Sequence, residues 1–246
     1  MSTMSRLTLT ETKLFFREPI GVFFLLGFAP ILLVILGSIP SFRDPDPELG
    51  GLRVIDLYAP ITVAMTLAFL ALSGLPQLLA TYRERGILRR MRTTPVKPAR
   101  LLGAQLLMFT VMAVLVMVVV QAIANLAFDV PLPRQAGAYA LGYVLAALSM
   151  LALGLLVAAL APSGKGASAI GTLLFFPVLF FAGLWAPRET MPEVLRRISD
   201  FTPLGAGVQS LQDATAGHWP QLLHLAVMAG WTIVAGGLAA RYFRWE

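Results

Sequence analysis

The chain has 246 residues, 57% of them hydrophobic and only 13% charged, with a mean hydropathy of +0.77. Soluble domains average about 45–50% apolar and about 25% charged, so this balance excludes a disordered chain and disfavours a soluble enzyme. The absence of cysteine rules out disulfides, cysteine zinc sites and thiol chemistry, and the net charge of +6 would suit nucleic acid only if the basic residues formed a suitable patch.

A helix needs about 20 residues to cross roughly 30 Å of hydrocarbon. Six stretches free of Asp, Glu, Lys and Arg reach that length: residues 19–42, 57–82, 101–128, 135–164, 166–187 and 214–240. Trimmed of proline, glycine and polar ends, they predict spans at 20–39, 57–80, 101–128, 137–161, 167–186 and 221–240. The expected class is an all-α membrane protein forming a single domain over 1–246. Ahead of the first span, residues 1–19 carry Leu7, Leu14 and Phe15 among charges, and 4–17 read as an interfacial helix. Glu11 and Glu18 precede the first apolar run, and Gly37–Pro40 offers no small-x-small cleavage pattern, so that span is expected to be retained. Residues 40–56 read as an irregular connection.

Between the second and third spans, seven of the 19 basic residues fall from Arg83 to Arg100. Ile87, Leu88 and Met91 make one apolar edge at helical spacing, and Pro95 and Pro98 stop the helix. The residues themselves leave two readings open: a loop that binds anionic head groups, or a docking helix for a cytoplasmic partner. Between the fourth and fifth spans, Ser163-Gly164-Lys165-Gly166 imitates a phosphate loop. Ala159 stands where a Walker A loop needs glycine, and Gly166 where it needs Ser or Thr, so the fragment is rejected. After the fifth span, Thr190-Met191-Pro192-Glu193 has a capping-box pattern. Residues 188–220 are expected to form two short helices on the outer face, the first from the spacing of Met191, Val194, Leu195, Ile198 and Phe201 and the second from Leu204 to Leu211, one of them lying on or dipping into the membrane.

With both termini on one side, that side holds 13 basic residues and the other six, while nine of the 13 acids lie on the other side. The positive-inside rule therefore expects cytoplasmic termini, and the basic pI reports membrane topology rather than a nucleic-acid footprint. Trp185, Trp219 and Trp245 sit at span ends as an aromatic belt would place them, whereas Trp231 falls mid-span and is expected to pack. No charged residue lies deep in a span, so no internal proton relay is visible. His218 and His224, six apart, do not share a helical face and are not expected to hold a metal. The uncharged polar residues Thr62, Thr66, Ser73, Gln77, Gln105, Gln121, Asn125, Ser149 and Thr172 are expected to hydrogen-bond between helices. Small residues at spacing four, such as Gly164/Ser168 and Ala167/Gly171, permit close helix approach without naming the partner. No catalytic site and no ATPase site is expected.

The order Arg-Glu-Arg-Gly, two aliphatics, Arg-Arg-Met-Arg, then Thr-Thr-Pro and a return through Ala-Arg-Leu-Leu-Gly closely resembles the loop of ABC-2 type transporter permeases, including bacterial drug and antibiotic exporters of the daunorubicin-resistance type. Length, six spans and cytoplasmic termini extend the resemblance over the whole chain. It implies that 83–93 is the coupling helix seated on an ATPase, with Glu84, Arg85, Gly86, Ile87, Leu88, Arg89, Met91, Arg92, Thr94 and Pro95 as coupling residues. It further implies a soluble ABC ATPase in two copies carrying ATP and Mg, with no cofactor in this chain. The expected function is a permease subunit of an ATP-driven exporter in the bacterial cytoplasmic membrane. Two copies, as a homodimer, would move a lipophilic or amphiphilic drug, antibiotic or lipid, with Phe69, Ser73, Phe175, Phe176 and Phe180 lining the path. The alternatives are export of a lipid-linked glycan and an ion-coupled secondary transporter, which would normally need a polar mid-membrane site.

Overall fold

The computed structural model describes residues 9, 12–14, 16, 17, 19–87 and 98–242. The expected interfacial helix over 4–17 lies largely outside the described residues. Among them no strand forms; the single β-bridge joins Pro45 and Arg53 in the irregular connection. An apolar chain in hydrocarbon must pair its backbone within itself, and helices do so without needing a neighbour.

Helix α1 (Pro19–Val22), a π turn (Phe23–Gly27) and α2 (Phe28–Gly37) follow one another without a break. Their 4, 5 and 10 residues amount to roughly 28 Å at about 1.5 Å per residue. Next come α3 (Val54–Phe69), a second π turn (Leu70–Gly74) and α4 (Leu75–Glu84), which together make one 31-residue apolar rod. Helices α5 (Pro98–Phe128), α6 (Ala136–Leu160) and α7 (Gly164–Phe181) follow, then the short α8 (Glu193–Asp200) and α9 (Pro203–Ala216), and α10 (Leu222–Tyr242). Among the described residues, five helical stretches are long and apolar enough to cross a membrane: Val54–Glu84, Gly103–Phe128, Ala136–Leu160, Gly164–Phe181 and Leu222–Tyr242. The segment expected as the first of six spans is helical, but a π turn divides it, and α2 alone is too short to cross.

The Val54–Glu84 rod is the axis of the bundle. Its most apolar window is 83% buried, against 28% for α5 and 22% each for α7 and α10, so the outer helices leave large faces to lipid. Helices α9 and α10 pack on α6, α4 packs on α6 and α7, and α2 and α5 flank α3. Where the rod takes its π turn, two glycines press against it. A Cβ on Gly171 of α7 would come within 2.9 Å of the Leu72 carbonyl carbon, and one on Gly154 of α6 equally close to that of Ala71. Both carbonyls belong to the π turn, whose widened ring pushes the backbone outward, so only glycine leaves room there.

Two expectations are corrected here, on hydrogen bonding between helices and on the cap of α8, and a third is sharpened. The hydroxyls of Thr62, Thr66 and Ser149 do not bridge helices; they donate to Ala59, Thr62 and Ala146 of their own helices. A short hydroxyl reaches the carbonyl three or four residues back more readily than a neighbouring helix. Asn125 likewise closes its own helix end by donating to the Val130 carbonyl at 3.0 Å. Thr190 does not cap α8: its hydroxyl donates to the Pro187 carbonyl within the 3-10 turn Arg188–Thr190, and α8 starts at Glu193. The second short helix does more than lie at the surface. Leu204, Ala206, Val208, Leu211 and Ala214 of α9 are all buried against α6 and α10, so α9 is inserted into the bundle.

At the end of the bundle richer in acids, Arg53 fastens α3 to α5. It pairs with Asp56 at 2.7 Å and donates to the carbonyls of Phe128 and Asp129 at 3.1 and 2.9 Å. Asp129 stands at φ 54, the left-handed position that ends α5, so the cation satisfies carbonyls the helix leaves open.

Candidate functional site

The opposite, basic end is built around the close of α4. Arg85 leaves helical geometry, and Gly86 takes φ +66, a left-handed conformation in which its N–H donates to the Arg83 carbonyl at 2.9 Å. Arg83 and Glu84 therefore form the last turn of the rod, and the segment expected as a helix over 83–93 changes direction at Gly86. Ile87 resumes helical geometry. Leu88, Arg89, Met91, Arg92, Thr94 and Pro95 lie outside the described residues.

Arg83 and Glu84 reach from that last turn to the connection between α6 and α7. The Arg83 guanidinium donates to the carbonyls of Ala158 and Ala161, which close α6. The Glu84 carboxylate accepts the Gly164 N–H at 3.0 Å, where α7 begins. A cation on a helix C-terminus and an anion on a helix N-terminus both complement the local dipole. Ser163 completes the start of α7 by accepting the Gly166 N–H at 3.0 Å. Gly164 is buried against Thr81, which leaves no space for a side chain. Together these contacts tie the last turn of α4 to the end of α6 and the first turn of α7. An open cleft of about 640 Å³ lies beside the clamp, between α4 and α7.

Farther along the rod and α7 the aromatic side chains form a chain that also takes in Phe24 and Trp185. Phe24 stacks on Phe69 at 5.5 Å, Phe69 meets Phe175 edge-on at 6.4 Å, Phe175 meets Phe176 at 6.0 Å, and Phe176 stacks on Trp185 at 6.1 Å. Phe69, Ser73 and Phe175 are half-buried, and Phe176 is 55% exposed. Four of the five expected path residues therefore come from the facing portions of the rod and α7. Phe180 is half-buried and pairs with Phe181 at 5.3 Å, outside that chain.

A family model for the ABC-2 type transporter matches residues 4–215, most of the chain. The chain belongs to this family. It is an ABC-type permease and a multi-pass membrane protein, of a family that generally works with an ABC ATPase partner and has no ATPase site of its own. No curated protein matches the chain.

In this permease, sequence reasoning picked out Glu84 but not its partner. The Ser163-Gly164-Lys165-Gly166 fragment, set aside as a phosphate loop, is a helix start. The available signal was a serine a few residues ahead of the charge-free stretch that begins at Gly166. His224 lies in the first turn of α10. It is 1% exposed, with Nε2 at 3.3 Å from Asp200 Oδ1. The same oxygen accepts from Arg188 Nη2 at 2.6 Å and Nε at 3.0 Å. Asp200 thus joins the 3-10 turn, α8 and α10. Trp231 is 37% exposed rather than packed, and its Nε1 donates to the Phe201 carbonyl at 2.9 Å, beside this cluster. Nearby in α9, burial raises the Asp213 carboxyl above the ordinary carboxylate range, opposed by His224, a backbone N–H at Gln221, His218 and Arg188.

Asp200→Asn removes the charge that balances Arg188. Breaking a fully buried pair costs about 3–5 kcal/mol, and this one is partly exposed, so a loss of about 1–3 kcal/mol is expected. The intrinsic tryptophan fluorescence, to which Trp231 beside the cluster contributes, should report it as a lower melting temperature in detergent. An unchanged melt would show that the cluster contributes nothing to packing α8.

Proposed function

We propose that this permease is the membrane subunit of an ATP-driven exporter that moves a lipophilic or amphiphilic substrate, whether drug, antibiotic or lipid, out of the cytoplasm or inner leaflet. Six spans are counted, with Pro19–Gly37 as the first despite its π turn, in a bacterial cytoplasmic membrane with both termini inside. A second copy completes the path as a homodimer, and two soluble ATPase subunits hold ATP and Mg²⁺.

The observation that carries this reading is the Arg83–Glu84 clamp. The turn at 83–86 stands where the family resemblance puts contact with the ATPase, and the clamp fastens it to α7. Helix α7 also bears Phe175 and Phe176 of the aromatic chain. A displacement of the turn is therefore carried to the helix that lines the path, and two packings of α7 against the rod would open the path to either side in turn. A mostly apolar lining favours an apolar or amphiphilic substrate over an ion.

Reconstitution tests the proposal. Proteoliposomes holding this permease and its ATPase should accumulate a fluorescent amphiphile against its gradient only when ATP is supplied. Vesicles holding the permease alone should only equilibrate it. Uphill accumulation by the permease alone would overturn the reading in favour of a secondary transporter.

A further inference from the structure

We propose that the cleft between α4 and α7 is a head-group subsite that takes the anionic end of an amphiphile. Lys165 and Arg85 meet its charge, and Gln77, Thr81 and Ser168 supply hydrogen bonds. The inference rests on reading the chain as a permease for amphiphiles and specifies the class.

The cleft, about 640 Å³, is within the size range of small-molecule sites, and all five residues line it. Gln77 and Thr81, four residues apart, make one polar edge on α4, and Arg85 follows just past the end of the helix. Gln77 is exposed and has no hydrogen-bond partner among the described residues. An amide facing hydrocarbon without a partner is costly, so this edge must face water or a polar ligand.

The charges select the sign of the ligand. The backbone N–H groups of Gly164 and Gly166 are already taken by Glu84 and Ser163, so an incoming anion would meet chiefly side chains. Glu84 spends its carboxylate on that helix start, and Arg83 is turned away onto the α6 carbonyls. Arg85 and Lys165 are both exposed and have no carboxylate partner among the described residues. Two free cations therefore face the cleft against one engaged acid.

The apolar end has a place as well. Phe69 precedes Thr81 by 12 residues on the same rod, roughly 18 Å at about 1.5 Å per residue. A head group at Lys165 and Arg85 would direct an acyl or polycyclic tail toward the Phe69–Phe175 contact.

Native mass spectrometry of the full-length permease in detergent, without the ATPase, tests this. The probes are phosphatidic acid, phosphatidylcholine and inorganic phosphate. Phosphatidic acid should bind in preference to phosphatidylcholine. Lys165→Gln and Gln77→Leu should each weaken it, Lys165→Gln by about tenfold, as expected for a charge-assisted hydrogen bond. Arg241→Gln removes a positive charge from the same side of the membrane and should change nothing. An equal loss in Arg241→Gln would reduce the effect to general attraction of anionic lipid and overturn the subsite, as would unchanged binding in Lys165→Gln. Displacement of phosphatidic acid by inorganic phosphate at similar concentration would make the cleft a free-anion site, which also overturns the proposal. Because no ATPase is present, failure here is separable from failure of uphill transport in reconstituted vesicles.

Discussion

Gly171→Ala should leave little folded permease. The added methyl would run into the Leu72 carbonyl at the π turn of the rod, and neither partner can yield. Leu72 is fully buried in the best-packed helix, and Gly171 is buried in α7. Overpacking against movable side chains costs about 1–3 kcal/mol; against backbone on both sides the cost should exceed about 3 kcal/mol. Gly154→Ala should behave alike, since its methyl would meet the Ala71 carbonyl on the same turn. The comparison is Gly237→Ala in α10, where nothing lies within 4 Å and helix propensity favours alanine by about 0.5–1 kcal/mol. Fluorescence-detected size-exclusion chromatography separates these cases. Gly171→Ala and Gly154→Ala should lose the monodisperse peak, and Gly237→Ala should keep or sharpen it. A normal peak for Gly171→Ala would mean that α7 does not pack this closely on the rod.

Glu84→Lys should leave the permease inserted and folded while breaking its link to ATP hydrolysis. The native carboxylate accepts the Gly164 N–H and complements the positive start of α7. Lysine removes the acceptor and puts a cation against the same helix end and beside Lys165. Glu84 is exposed, so its contribution to overall stability is small. Ser163 still caps α7, which should keep the fold. What is lost is the fastening between the turn at 83–86 and α7. Coupling free energies between sites are typically about 1–3 kcal/mol, so substrate-stimulated ATPase activity and transport should each fall at least about fivefold. Glu84→Gln keeps an acceptor oxygen without the charge and should fall between. Normal transport together with normal capture of the ATPase in Glu84→Lys would remove this residue from the coupling path.

Membrane character and the presence of long apolar helices were legible because they depend on runs of residue type. Charge-free stretches predict spans at 57–80 and 137–161, and the helices run Val54–Glu84 and Ala136–Leu160. The order of residues in the loop drew attention to Glu84, but not to the helix start that its carboxylate meets. The π turns at Phe23–Gly27 and Leu70–Gly74 were not, since a change of hydrogen-bond register leaves no mark on an apolar run. The burial of α9 was only half legible. Its small residues, Gly205, Ala206 and Gly207, suit close packing, but so do those of many surface helices.

The amino-acid order by itself determined that this chain is a bundle of membrane helices with one strongly basic connection, because crossing hydrocarbon demands long uncharged runs and charges collect where water begins. Only the tertiary structure decided which surfaces meet. It set Glu84 on the backbone of Gly164, Arg83 on the carbonyls that close α6, Gly154 and Gly171 on the π turn, and Asp200 between Arg188 and His224. The physical reason is that a helix apolar on all sides has no periodicity to declare its inner face, and side chains that bond a distant backbone leave no local spacing to read.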